Sequence, residues 1–162
     1  PNPDLVFLDW ESSSDIEIGH NALRLSGTIK FKDRLIATLS GGEIQRVFIA
    51  RALAQESSIM LLDEPTAHLD IGFQTGVLDL VDNIRKQSSL TVVAAIHDLT
   101  LAAQYCDRLF LIEGGSVTVC GTPSEVITQD NIRRVFGVNV EIMLHPIYNT
   151  PVVLPISSRI AS

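Results

Sequence analysis

Cysteine is scarce in this chain. The 162 residues hold two, Cys106 and Cys120, whose spacing suits neither a metal site nor a disulfide framework. Reduced, structural thiols in a cytosolic setting are the expectation. Long hydrophobic runs are missing too: none approaches the roughly 20 residues that a membrane-spanning helix needs, and no secretory signal peptide is recognisable. Positive charge is the minority, with 12 Lys and Arg against 19 Asp and Glu and a net charge of −7. That balance argues against a nucleic-acid binder, although a helix end can hold a phosphate against an unfavourable global charge. Internal repeats and low-complexity segments are absent. The chain also lacks an initial methionine and opens Pro1-Asn2-Pro3, which reads as a fragment or a processed product.

What is present is one domain's worth of chain with an ordinary 46% hydrophobic fraction. It is organised around Leu39-Ser40-Gly41-Gly42-Glu43-Ile44-Gln45-Arg46. Ser40 is a good helix N-cap, and Glu43 three residues later makes a capping box. Ile44, Val47, Phe48 and Ala52 follow at helical spacing. A capping box before an apolar helix is common. Two glycines in its first turn are not, because each costs roughly 1 kcal/mol against alanine. Glycines there leave backbone N–H groups bare at the positive end of the helix dipole, where an anion can approach.

Along the chain, Leu5 to Trp10 is a short apolar stretch of strand or helix. Ser12 to Asp15 reads as loop and cap, Ile16 to Leu25 as a helix stopped by Gly27, and Phe31 to Leu39 as a connection with a solvated basic cluster of Lys30, Lys32 and Arg34. A helix is expected from Gly41 to Gln55. Ser58 to Leu62 and Leu90 to Ile96 are unbroken apolar runs that suit strands buried on both faces. Between them Asp70 can cap a helix with Phe73, Val77, Leu80, Val81 and Ile84 on one side. Asp98 caps a short helix ending near Cys106. Arg108–Ile112 and Ser116–Cys120 flank Glu113-Gly114-Gly115 as a hairpin. Thr122-Pro123-Ser124-Glu125 opens one more helix, Thr128 another that stops near Gly137, and Val138–Leu144 and Val152–Leu154 form two strands around His145-Pro146. Strand, helix, strand, helix is the rhythm of an α/β fold.

Asp63 and Glu64 close the first strand, at the end where open α/β sheets bind ligands. Their plain reading is a polar strand end. The functional one gives them separate tasks: Asp63 holds Mg²⁺ through water, and Glu64 orients and helps deprotonate an attacking water. Alternation along a strand would aim them to opposite sides. Asp70 is fully accounted for as a helix cap, and His68 as a surface or packing residue. His97, after the apolar or small residues Val92 to Ile96, is by itself an ordinary strand-end histidine.

Three runs together resemble the ATP-binding cassette (ABC) ATPase family. Leu39-Ser40-Gly41-Gly42-Glu43 with Gln45-Arg46 resembles its signature motif, Ile59 to Glu64 its Walker B strand, and His97 its switch histidine. The resemblance covers roughly Leu35 to Pro155. It implies an α/β fold: a partial P-loop NTPase core with a mainly parallel sheet, a remnant helical subdomain and C-terminal hairpin elements. It divides the chain into 1–56, the helical remnant with the signature helix; 57–122, the C-terminal half of the core; and 123–162, the C-terminal helices and strands. It assigns Glu64 and His97 to catalysis, Asp63 to the metal, and Ser40, Gly41, Gly42, Glu43 and Asp70 to the nucleotide, with ATP and Mg²⁺ as cofactors. His97 would sense the γ-phosphate by donating a hydrogen bond. Asp70 would shape communication between the two sites of a dimer. Ser40, Gly41 and Gly42 would close over a nucleotide held by a second ATPase subunit.

The resemblance also implies a Walker A loop, G-x-x-x-x-G-K-[ST], upstream. It is absent from the 162 residues, and none of the three lysines, Lys30, Lys32 and Lys86, follows a glycine. The chain is thus read as a truncated C-terminal form, inactive alone. Leu62 to Asp70, His97 to Ala103 and the tail from Gly121 to Val140 are similar to importers of the iron–siderophore, haem and cobalamin type. That implies a homodimeric ATPase, a membrane permease, indirectly a substrate-binding protein, no nucleic acid, and a peripheral place on the cytoplasmic side of the cell membrane. Two other readings stand beside it: a soluble, non-transport ABC ATPase, and a truncated non-enzymatic module that pairs with a complete subunit.

Overall fold

The computed structural model describes residues 12–157, which fall into two compact units divided between Ala95 and Ile96. The apolar stretch Leu5 to Trp10 lies outside the described residues. No helix among the described residues is long and apolar enough to cross a membrane.

The first unit begins with helix α1, Ser13–Leu25. Ser12 caps it: its hydroxyl accepts from the N–H of Asp15, whose carboxylate accepts from the N–H of Ser12 at 2.9 Å. The helix therefore starts at Ser13, inside the segment expected as a loop, because the Ser12/Asp15 pair is itself a capping box. Two single turns of 3₁₀ helix, Ile29–Phe31 and Ile36–Thr38, lead to α2, Gly41–Leu53. Phe31 is buried, and Lys30 and Arg34 lie over its ring at 4.9 and 5.5 Å. The basic cluster thus covers an aromatic anchor as well as meeting solvent.

Strand β1, Ile59–Asp63, pairs in parallel with β2, Thr91–Ala95, in the register Ile59 to Thr91 through Asp63 to Ala95. Helix α3, Ile71–Gln87, connects them. This is the parallel pairing that the strand–helix–strand order predicts. Ile49 of α2 packs with Val77, Val81 and Ile84 of α3, and Leu62 and Val92 join them from the strands. One face of the pair is thereby covered. The other is not: Leu61 is 74% exposed, Ile59 54% and Val93 55%. The expectation of strands buried on both faces is corrected here. An unbroken apolar run does not say which side receives helices, and α2 and α3 both pack on the side of Leu62 and Val92.

The second unit carries α4, Leu99–Tyr105; the hairpin β3, Leu109–Glu113, with β4, Ser116–Gly121; α5, Pro123–Val126; α6, Gln129–Phe136; and β5, Val140–Leu144, paired with β6, Pro151–Pro155. Both strand pairs are antiparallel, with a register shift between Leu111 and Ile112. Ala102, Ala103, Leu109, Leu111, Val126 and Ile127 form the core. The N–H of Val153 donates to the hydroxyl of Thr100 at 3.1 Å and ties β6 to α4. Thr122 with Glu125, and Thr128 with Asn131, start the two helices where the sequence places them. Between β5 and β6, Nδ1 of His145 accepts from the N–H groups of Ile147 and Tyr148 and closes the turn.

Candidate functional site

The capping box forecast at Ser40 is present. The N–H of Ser40 donates to the Glu43 carboxylate at 2.8 Å, and the N–H of Glu43 donates to the Ser40 hydroxyl at 3.4 Å. The backbone hydrogen bond from Ser40, helped by its hydroxyl and by the charges of Arg34 and Lys30, holds the Glu43 carboxyl below its ordinary pKa. The box engages the N–H groups of Ser40 and Glu43. Those of Gly41 and Gly42 fall among the donors that no helix of this hand satisfies internally. Ser40 and Gly41 are exposed, whereas Gly42 is buried.

Asp63 ends β1 opposite Ala95, exposed, on the same side as Leu61 by strand alternation. The N–H of Glu64 donates to the carbonyl of Ala95 at 3.2 Å and carries the ladder one residue further. Glu64 does so with φ at +46°, in the left-handed region. Strand alternation therefore stops at Asp63 and does not set the direction of Glu64. The backbones that carry the two carboxylates are set by different means, one by the strand and one by the turn after it. That turn is wound tightly: Ala67 N–H donates to Glu64 C=O, and His68 is again left-handed at +60°. Pro65 and Thr66 are buried, while Asp63, Glu64 and His68 stay exposed.

Asp70 caps α3, its carboxylate accepting from the N–H of Phe73 at 2.9 Å. The Gln74 side-chain amide donates back to the carbonyls of Leu69, at 3.1 Å, and Thr66, at 3.4 Å. Gln74 was not singled out from sequence, yet it spans the loop between Glu64 and Asp70. Its only sequence signal is its place one turn into a helix that follows a strand-end carboxylate pair.

His97 is exposed at the start of the second unit, two residues after β2 in the chain. Its neighbour Asp98 caps α4, accepting from Thr100 and Leu101 at 2.8 and 2.9 Å. Within the first unit the structure brings the Ser40–Glu43 turn against the start of α3. Gly41 faces Leu69, Gly42 faces Phe73, and Arg46 donates to the carbonyl of Gly76 at 3.3 Å. A cavity of about 180 Å³ lies between α2 and the end of β1, lined by Gln45, Phe48, Leu61 and Asp63 among others.

No cluster of three or more His, Cys, Asp or Glu side chains suited to a metal occurs among the described residues. One or two exposed carboxylates at a strand end fit a Mg²⁺ ion that takes most of its ligands from phosphate and water, and do not fit a cation caged by protein alone.

Residues 3–67 match the family model described as ABC transporter. The chain is 37% identical to the ferric enterobactin transport ATP-binding protein FepC of Escherichia coli K12, over 93% of this chain and 55% of that protein. It is 41% identical to the cobalamin import ATP-binding protein BtuD of Halobacterium salinarum, over 91% of this chain and 37% of that one. An inward-facing ABC transporter structure of metal-chelate type superposes with a TM-score of 0.85, covering 95% of this chain and 62% of its own at 24% identity. The chain has the fold of ABC ATPase domains, and over most of its length its sequence is similar to ABC import ATP-binding proteins. Its homologues are named as siderophore, haem and cobalamin import ATP-binding proteins. The chain spans about half the length of the curated relatives it matches.

Proposed function

We propose that the complete protein hydrolyses ATP to energise an importer for an iron(III)–siderophore or a related metal chelate. The observation that carries the reading is the junction of Asp63 and Glu64 with Ala95, where a parallel pair in an ABC ATPase fold ends in two adjacent acidic residues whose backbones are both held against Ala95. Glu64 is the base: its carboxylate orients the attacking water and takes its proton. Asp63 holds Mg²⁺ through water, and the ion when bound neutralises charge that develops on the phosphates. His97 donates to the γ-phosphate. Ser40, Gly41 and Gly42 close over the nucleotide of a second subunit, Glu43 keeps that turn wound, and Asp70 shapes the loop between the two sites.

The division into 1–56, 57–122 and 123–162 accompanies this reading. So do the partners: a second ATPase subunit, a membrane permease on whose cytoplasmic side the protein sits, and a substrate-binding protein upstream. The names of the relatives support the cargo class. The test is ATP hydrolysis by the complete protein over a Mg²⁺ titration. Asp63→Asn should shift the Mg²⁺ requirement upward and lower turnover. An unchanged Mg²⁺ curve would remove Asp63 from the metal.

A further inference from the structure

The two glycines of the Ser40–Glu43 turn differ in their surroundings. Gly41 is exposed, and a Cβ there would stand 3.3 Å from a methyl of Leu69. Gly42 is buried, and a Cβ there would overlap Cδ1 of Phe73 and stand 2.9 Å from its Cγ. The space that glycine leaves at position 42 is already filled by this chain's own aromatic ring. Phe73 sits in the first turn of α3, where Asp70 accepts from its N–H and its neighbour Gln74 holds the carbonyls of Thr66 and Leu69. The ring thus connects the loop that follows Glu64 to the turn that begins α2. Arg46, one helical turn on, repeats the connection by its bond to Gly76 C=O.

We propose that Phe73 is a positioning residue which locks the Ser40–Glu43 turn to the Glu64–Asp70 loop, and that position 42 is glycine to seat its ring. The inference rests on the nucleotide-binding role given above to that turn. It departs from the sequence argument for the glycines, in which their use is to let an anion approach. Gly41 retains that use; Gly42 keeps its N–H for the nucleotide, while the room left by its missing side chain serves the ring. With the ring in place, the start of α2 cannot tilt without carrying the loop with it. Without the ring the turn keeps its capping box and loses its bearing on α3.

Phe73 remains 43% exposed, so its truncation should leave the protein folded. The ring atoms nearest Gly42, Cγ, Cδ1 and Cε1, lie along one edge, which leaves room for Phe73→Tyr to keep the lock. The experiment is a double-mutant cycle in the complete protein: Gly42→Ala, Phe73→Ala and the pair together, read by ATP dependence of hydrolysis and by melting temperature. Phe73→Ala should raise the half-saturating ATP concentration on the order of tenfold while lowering kcat much less, and Phe73→Tyr should restore it. Gly42→Ala should show a comparable loss in the wild-type background, because its methyl displaces the ring. That loss should vanish in the Phe73→Ala background. A Gly42→Ala loss that persists undiminished without the ring would overturn the proposal, since position 42 would then be glycine for the nucleotide. A Phe73→Ala variant with wild-type ATP dependence would overturn it equally. Should the wild-type protein hydrolyse no ATP, the functional reading fails by itself, and the melting-temperature cycle still decides whether Phe73 and Gly42 are coupled.

Discussion

The N–H of Glu64 donates to the carbonyl of Ala95 at 3.2 Å while Glu64 itself adopts a left-handed backbone. The carboxylate assigned as base is thus carried on a residue that pays for its position in conformational energy. Left-handed geometry costs a non-glycine residue roughly 1–2 kcal/mol, partly offset in a comparison with glycine by glycine's larger unfolded-state entropy. Glu64→Gly should therefore raise the stability of the protein by up to about 1 kcal/mol and abolish hydrolysis. Thermal melting and steady-state turnover of the same sample check both halves. A Glu64→Gly protein that melts lower than wild type would mean that interactions of the Glu64 side chain outweigh its backbone strain.

The Ser40–Glu43 box predicts a local effect of ordinary size. Ser40→Ala removes the acceptor for the Glu43 N–H and should cost about 1 kcal/mol of stability. Ser40→Thr should recover most of it. Chemical denaturation with a shared slope is the measurement, and equal stability of Ser40→Ala and wild type would show that the turn is held from α3 alone.

Acid sensitivity follows from three boxes at once. Asp15, Glu43 and Glu125 each accept from the backbone N–H of their own cap residue, and in each this bond is the largest cause of a lowered carboxyl pKa. A carboxyl depressed in the folded state contributes stability above its unfolded pKa, and that contribution drains away as pH falls through the folded one. Melting temperature should therefore hold steady down to about pH 5 and drop below the ordinary carboxylate range near pH 4. The combined variant Asp15→Asn, Glu43→Gln, Glu125→Gln should show a shallower drop. Superimposable profiles for the two proteins would assign the acid loss to other groups.

In the second unit, Ile132 is 1% exposed on α6. Ile132→Ala should destabilise by about 2–5 kcal/mol, whereas Arg133→Ala, exposed on the same helix, should stay within about 0.5 kcal/mol. Denaturant midpoints for the two variants separate these expectations.

Local chemistry was legible in the sequence wherever a short-range rule governs it. The caps at Ser40, Asp70 and Asp98 lie where their side chains reach an N–H two or three residues on, and at Thr122 the Glu125 carboxylate accepts from the cap's own N–H. So was the parallel pair, because two apolar runs separated by an amphipathic helix admit few topologies. The Phe73–Gly42 contact was not legible. It joins residues far apart in the chain, and Phe73 reads simply as one more apolar position on the buried side of α3. The exposed face of Ile59, Leu61 and Val93 escaped for a related reason: apart from the terminal Asp63, β1 and β2 carry apolar or small residues on both sides, so no alternation marks the face that α2 and α3 leave uncovered. The left-handed turn at Glu64 escaped because a strand-end glutamate carries no local signal for positive φ.

The central claim is that Glu64 is the base of an ATPase. It is tested most directly by measuring ATP binding and steady-state hydrolysis of the complete protein and its Glu64→Gln variant side by side. The account predicts that the variant binds ATP as wild type does while its turnover falls by at least about a hundredfold. Wild-type turnover in Glu64→Gln, with binding intact, would contradict it.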